Sequence, residues 1–532
     1  MSASNIRSGK YKKEVGIFGV VFLAVSAILG SAILFIPVTV LAAAGPAGTI
    51  AWIIGGLMML VIGLIYAELG TLLPRTGGVA TYPHISNGSL AGILNGWGAF
   101  LGYILAPVSE TVAIVEYMSY FYPSLFNFKT YTMTFEGELL TLVIVFFFFI
   151  GNYFGIAYLN QSNAFLTWLK LLSLAFIGIF FLAFYFHPGN FTVFPGGFNP
   201  YHSAGILFAV ASTVYAYAGF RQPIDYAEEL KNYKRDIPIA IALSILVSFL
   251  IYESLSVAFV GSINWHYFHL QPGDWADLGK LTFPLPALGF ELGLMLMAYF
   301  IFVTSIHSSA SSSLIYSGGA ARVMAALSEN KYLPPIFGRL SKRGIPYVAV
   351  IMVLIVSAIY TFLIPVFISI ALVFVDASLV SYGPAGVSLM VMRKHVRAQN
   401  GEPFRLPFAS VLCPAGFLIG GLLIYWTGWN IVQIAIPSVM IGLLLFFYHA
   451  GKVRIDSIEL KGGMWLFFYF IAVMILSFLG SSDFHGNNTI PFPYDLLVFV
   501  IVSLAFYAWA VMSGYSYMKA RPYSGTEEGR IV

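Results

Sequence analysis

One cysteine, Cys413, stands in 532 residues. A lone cysteine excludes a disulfide framework and any metal site built on thiolates. Charge is scarce too: 9% of the residues are Asp, Glu, Lys or Arg, against about a quarter in a soluble domain. No stretch has the composition of an appended soluble domain, so no catalytic or regulatory module is expected. Clustered metal ligands are also missing. His266, His269 and Asp274 share the longest loop without metal-ligand spacing on a helix, so neither a metal nor another cofactor is expected. What the chain has instead is apolar surface: 59% hydrophobic residues and a mean hydropathy of +0.84. That is an integral membrane protein.

About 20 apolar residues cross a bilayer as a helix. The sequence then predicts fourteen spans, near 15–43, 47–73, 93–121, 138–156, 163–186, 204–230, 237–261, 290–326, 346–363, 365–392, 407–427, 429–449, 463–480 and 494–515. The runs 345–392 and 406–449 are too long for one helix each. They are divided at Pro365 and at Thr427–Asn430. The first run exceeds a signal-peptide core and is read as a retained helix. Basic residues set the orientation. With both termini inside, all but Lys129, Lys170 and Lys280 of the 27 Lys and Arg residues fall on the inner side. The net charge of +4 is therefore a topology signal. The expected partners are the lipid bilayer of the cell membrane and a small molecule, not a nucleic acid.

Two of the spans are interrupted. The first breaks at Ile28-Leu29-Gly30-Ser31-Ala32, the sixth at Ala218-Gly219-Phe220. In hydrocarbon an unpaired backbone group costs several kcal/mol, so unwound backbone persists where it lines a cavity or a ligand. Each break opens a five-span unit, over residues 15–203 and 204–392. Such paired breaks point to a secondary transporter with its site at the bilayer midplane. Spans eleven to fourteen, residues 407–515, lie outside the units and are expected to buttress the bundle or mediate oligomer contacts. Residues 1–14 and 516–532 are read as inner tails.

The breaks differ in chemistry. After the first, the outer half-helix presents free N–H groups and a partial positive charge, suited to a carboxylate. Before the second, a half-helix ends in carbonyls that accept from an ammonium group. A zwitterionic amino acid needs both. The alternative for Gly30–Ala32 alone is a small-residue packing face. The candidate substrate residues are Ala27, Ile28, Gly30, Ser31 and Ala32 at the first break, and Tyr215, Ala216, Ala218, Gly219 and Phe220 at the second. Glu110 of span three and Ser305 of span eight join them. The lack of a charged ring around the breaks favours neutral amino acids over polyamines.

Several motifs resemble the amino acid–polyamine–organocation superfamily of permeases. They are Gly30-Ser31-Ala32-Ile33, Tyr66-Ala67-Glu68-Leu69-Gly70 with Pro74-Arg75-Thr76-Gly77-Gly78, and Ala227-Glu228-Glu229-Leu230-Lys231-Asn232 with Arg235-Asp236-Ile237-Pro238. Further along come Leu333-Pro334 with Arg343-Gly344-Ile345-Pro346, and Phe404-Arg405-Leu406-Pro407. Together they cover residues 15 to about 450. The resemblance implies an all-α, leucine-transporter-like fold of five plus five inverted spans, here with about four extra C-terminal helices, and alternating access. Two departures stand out. Ala32 replaces the last Gly usual in the first break, and Arg221 follows the second, where an acidic or small residue is common. The family commonly has twelve spans, two fewer than here.

Lys170 is a basic residue inside span five, an expensive placement usually tied to function; snorkelling to the interface is the competing reading. The resemblance implies a proton-coupling role, since proton-coupled relatives carry a lysine in this span as a stand-in for sodium. Its expected partners are span-one carbonyls around Val25 to Ile28 and hydroxyls of Ser308, Ser309 and Ser312 in span eight. Arg221 is expected to act as an inner gate charge, paired with Asp225 or Glu228. Asp376 in span ten is a further gate candidate. Glu68 and Arg75 are expected to make structural contacts on the inner face. The leading expectation is secondary active amino acid transport, coupled to protons and directed inward. An amine or polyamine carrier, with Glu110 and Asp376 serving a polycation, or an antiporter, is the alternative. An intramembrane enzyme is disfavoured for want of a catalytic cluster.

Overall fold

The computed structural model describes residues 11–130, 132–153, 156–193, 196–279, 281, 283–363, 367–397, 402–451 and 456–523. The predicted cut at Pro365, Lys280, and most of both tails lie outside these residues. In chain order the helices are α1 (Ile17–Ile28), α2 (Ala32–Ala44), α3 (Gly48–Leu72), α4 (Gly78–Met118), α5 (Phe135–Tyr153), α6 (Ile156–Phe184), α7 (His202–Tyr217), α8 (Gln222–Asp225) and α9 (Tyr233–Ser262). The short α10 (Trp275–Leu278) and α11 (Pro284–Glu291) precede α12 (Met295–Glu329) and α13 (Tyr347–Leu363). Then come α14 (Phe367–Leu379), α15 (Gly383–His395), α16 (Ala409–Thr427), α17 (Trp429–Met440), α18 (Leu443–Ala450), α19 (Ser457–Leu479) and α20 (Tyr494–Ala520). One hairpin, β1 (Phe126–Asn127) with β2 (Thr132–Met133), interrupts this all-helical order.

Eleven helical stretches among the described residues are long and apolar enough to cross a membrane. Ile17–Ile28 and Tyr347–Leu363 are apolar but shorter. The chain is a multi-pass membrane protein, built of helices because a helix satisfies its own backbone where no water can.

Several boundaries differ from the sequence expectation. Helix α4 begins at Gly78 rather than near residue 93. Polar side chains of this segment are buried, and several are bonded. Asn87 donates to Gly462 O at 3.2 Å and Ala510 O at 2.9 Å, and Asn95 donates to Val79 O at 2.9 Å. Gly88, at φ 82°, interrupts α4. The released Ser89 N–H donates to Glu459 Oε1 of α19 at 2.8 Å. Asp456 caps α19 through the N–H groups of Glu459 and Ile458 and pairs with Arg521 at 2.9 Å; these contacts hold its carboxyl below the usual range. Predicted span ten is itself divided between α14 and α15, at Val380–Tyr382.

The α1–α2 and α7–α8 breaks sit in the interior. Helix α1 packs against α6, α8, α9 and α12, and α7 packs against α2 and α3. Ion pairs, several on buried carboxylates, gather at one end of the bundle. Glu68 receives Arg393 and Arg405, and its Oε2 accepts Leu406 N–H at 2.7 Å. Arg322 grips Glu229 through two bonds of 2.6 and 3.1 Å. Arg75 lies 3.6 Å from Glu228.

Candidate substrate and coupling site

At the first break, helix α1 stops at Ile28 and α2 restarts at Ala32, which frees backbone groups in between. The Ser31 N–H donates to Glu110 Oε2 at 2.7 Å. The Ser312 hydroxyl lies 3.1 Å from both Glu110 Oε1 and Ala27 O. The start of α2, where the sequence places a substrate carboxylate, therefore holds a carboxylate of the chain's own. Glu110 is 5% exposed. A Cβ added at Gly30 would land on that carboxylate. Tyr215 reaches over from α7, its hydroxyl 2.8 Å from Ser31 Oγ and 3.3 Å from Ser109 Oγ.

The second break lies directly against the first. Gly219 has φ 107°. A Cβ there would stand 2.9 Å from Ala27 C and 3.0 Å from Ile28 N. Tyr252 of α9, absent from the sequence candidates, joins the two: its hydroxyl lies 2.7 Å from Ile28 O and 3.2 Å from Ala216 O. A lone tyrosine in an apolar helix carries no local mark of such a task. Gly219→Ala is expected to combine backbone strain of about 1–3 kcal/mol with this clash. Thermal unfolding in detergent should shift downward and uptake should fall. Wild-type behaviour in both would show that the breaks are not pressed together.

Lys170 does not snorkel. It is fully buried, and its Nζ donates to Leu29 O at 2.7 Å, Ser26 O at 3.1 Å and Ser308 O at 3.2 Å, with Ser26 Oγ at 3.4 Å. The geometry keeps one expected partner, the Ser26 carbonyl, and changes the others. Among the span-one carbonyls it takes Ser26 and Leu29, and from α12 it takes the Ser308 carbonyl rather than serine hydroxyls. Among the described residues the Ser308 and Ser309 hydroxyls have no partner, and Ser312 bonds to Glu110 instead. Three carbonyls match the three protons of an ammonium group, so Lys170 ties the first break to α12. The Ser305 hydroxyl donates to Ile301 O, one turn back in α12, at 2.7 Å. The Phe220 ring, in the second break, packs against Tyr382 and Tyr66.

The gate candidates separate. Arg221 pairs with neither Asp225 nor Glu228. Its Nε donates to the Tyr103 hydroxyl at 3.2 Å, Tyr103 in turn donates to Asp225, and Nη1 donates to Ser381 Oγ. Geometry prevents direct pairing because the Tyr103 phenol stands between the two charges. Asp376 faces α16, where Thr427 Oγ1 donates to it at 3.1 Å. His307 ties α12 to α6 through Leu166 O at 2.9 Å. Among the described residues no group of three or more His, Cys, Asp or Glu is placed to hold a metal.

A broken-helix pair with a buried ammonium and carboxylate is the equipment of a carrier. Comparison of the sequence agrees: the family model described as amino acid permease matches residues 15–450. The chain belongs to the amino acid permease family. The permease is thus a membrane transporter rather than an enzyme. It is 32% identical over 528 residues to the glutamate/serine transporter AimA of Bacillus subtilis, covering 94% of each chain. It is 31% identical over 516 residues to the aspartate-proton symporter of the same organism, covering 96% of the permease and 98% of that protein. The branched-chain amino acid permease BcaP, also of B. subtilis, is 27% identical over 454 residues, or 83% of the permease and 94% of that protein.

Proposed function

We propose that the permease takes up α-amino acids together with protons across the plasma membrane by alternating access. The observation that carries the reading is Lys170, an ammonium held at the first break by carbonyls of α1 and α12. A resident cation there takes the place a sodium ion would need. Gain and loss of its proton then changes how firmly α1 is held to α12. In this reading the chain crosses the membrane fourteen times with both termini inside. Residues 15–203 and 204–392 form two inverted repeats, and 407–515 form the added helices. The substrate's α-groups lie at the two breaks, beside Ser31, Tyr215 and Glu110. The relatives named for glutamate, serine and aspartate, one of them a proton symporter, support α-amino acids and protons. Glu110 is engaged by Ser31 and Ser312, which argues against a polycation site.

The test is uptake by purified protein in proteoliposomes. An inward proton gradient is expected to drive accumulation of small polar and acidic amino acids, and a sodium gradient alone is not. Sodium-driven uptake with no response to pH would defeat the proton reading. Saturable uptake of putrescine or spermidine in preference to amino acids would defeat the substrate reading.

A further inference from the structure

Among the described residues two arginines are deeply buried, and they are treated differently. Arg322, at 4% exposure, has a carboxylate in its fork, Glu229. Arg221, at 2%, has none within ion-pair distance among the described residues. Its partners are neutral: the phenol of Tyr103, the hydroxyl of Ser381, the nearby Tyr66, and the ring faces of Tyr103 and Tyr382 at 4.9 and 4.8 Å. A guanidinium offers five donors in a planar fork that fits a carboxylate, and burying such a charge unpaired is expensive. Two neighbours also hold unpartnered polar atoms, and of these the Gln222 Nε2 is a further donor. Among the described residues, both amide atoms of Gln222 and the Oδ1 of Asp225 are buried without a partner.

Arg221 is also joined to the breaks. A line of rings runs from Tyr215, bonded to Ser31, to Phe374 at 5.4 Å, on to Tyr316 at 5.8 Å, and to Tyr103 at 5.7 Å, under the guanidinium. Along α4, Tyr103 precedes Glu110 by two helical turns, about 10 Å. A side chain of two or three carbons, together with the arginine's own stem, closes that distance once the rings part.

We propose that Arg221, assisted by the Gln222 amide, is the receptor for a side-chain carboxylate, so that the permease selects acidic amino acids. This rests on the reading that the α-groups lie at the breaks. An acidic substrate lies with its side chain along α4 toward Tyr103, and its second carboxylate takes the free donors of Arg221. The Tyr103 phenol bridges Arg221 to Asp225, so that acid offsets the charge at a distance but does not occupy the guanidinium's donors.

The experiment compares full-length wild type, Arg221→Gln and Arg221→Lys in proteoliposomes under one inward proton gradient. KM and kcat are measured for glutamate, aspartate, serine and alanine. Wild type is expected to take the acidic substrates. In Arg221→Gln their KM should rise at least about tenfold more than that of serine and alanine, the scale of one lost charged contact; Arg221→Lys should fall between. A gate or a purely structural arginine would slow all four substrates alike, and an unchanged acid-to-neutral ratio in both variants would overturn the proposal. If the glutamine variant does not fold, the lysine variant and the wild type decide: wild-type uptake of serine and alanine without glutamate or aspartate would overturn the selector while leaving amino acid transport intact. Wild type that carries none of the four would overturn the transport reading, and this proposal with it.

Discussion

Lys170→Ala should abolish accumulation driven by a proton gradient while leaving substrate exchange between the two sides of the membrane. The protonated amine gives three hydrogens to three carbonyls, one from α1, one from Leu29 in the break that follows it, and one from α12. A neutral amine has only two hydrogens, and its lone pair would face the third carbonyl. Losing the proton therefore releases one strand of the tie, with no new partner to replace it. A hydrogen bond to a charged group contributes about 1.5–3 kcal/mol, enough to move a two-state equilibrium roughly ten- to a hundredfold. Alanine keeps the tie permanently released, so the carrier still reorients with substrate but no longer responds to protons. The measurement is uptake into proteoliposomes with and without an imposed pH gradient, beside counterflow at equal pH. Full proton-driven accumulation by the alanine variant would make Lys170 a packing residue and move the coupling role to Glu110.

The second large effect is expected at Gly30. Its α-carbon faces the Glu110 carboxylate so closely that a methyl group would occupy the same space. Gly30→Ala should push Glu110 off the Ser31 N–H, and Gly30→Leu should also block approach to the start of α2. We expect affinity for substrate to fall at least about tenfold in the alanine variant, the equivalent of about 1.4 kcal/mol, and to be lost in the leucine variant. Both proteins should still insert in the membrane, because no core contact of α1 is removed. The decisive comparison is a double-mutant cycle. In Gly30→Ala/Glu110→Ala the clash is gone, so adding the glycine change to Glu110→Ala should do much less harm than adding it to wild type. Equal harm in both backgrounds would show that Gly30 acts through something other than Glu110. Ligand binding followed by thermal shift reads this without depending on transport rate.

The sequence alone carried the class of molecule and the position of its weak points. Low charge and long apolar runs establish a helical membrane protein, because backbone in lipid has few other solutions. Gly30 and Gly219 mark breaks that the structure places at residues 29–31 and 218–221, since small residues and a polar stretch leave a local trace. The motifs from Gly30 to Pro407 pointed to the family. Breaks without such a trace were missed. Gly88 interrupts α4 in a segment that reads as a loop because its polar side chains face α19 and α20, and the Val380–Tyr382 break hides inside an apolar run.

The partners were decided by tertiary structure. Glu110 is read from sequence as a substrate candidate in span three, but it meets Ser31 across 79 residues. Lys170 meets Ser26 across 144, and Tyr252 meets Ile28 across 224. Arg221 and Asp225, four apart in the chain, suggest a pair to any local reading, yet Tyr103 from α4 stands between them. Composition and local pattern determine which segments enter the membrane and where a helix weakens, since those depend on neighbours in sequence. Which buried charge faces which partner depends on helices brought together from far apart, and only the packed bundle determines that.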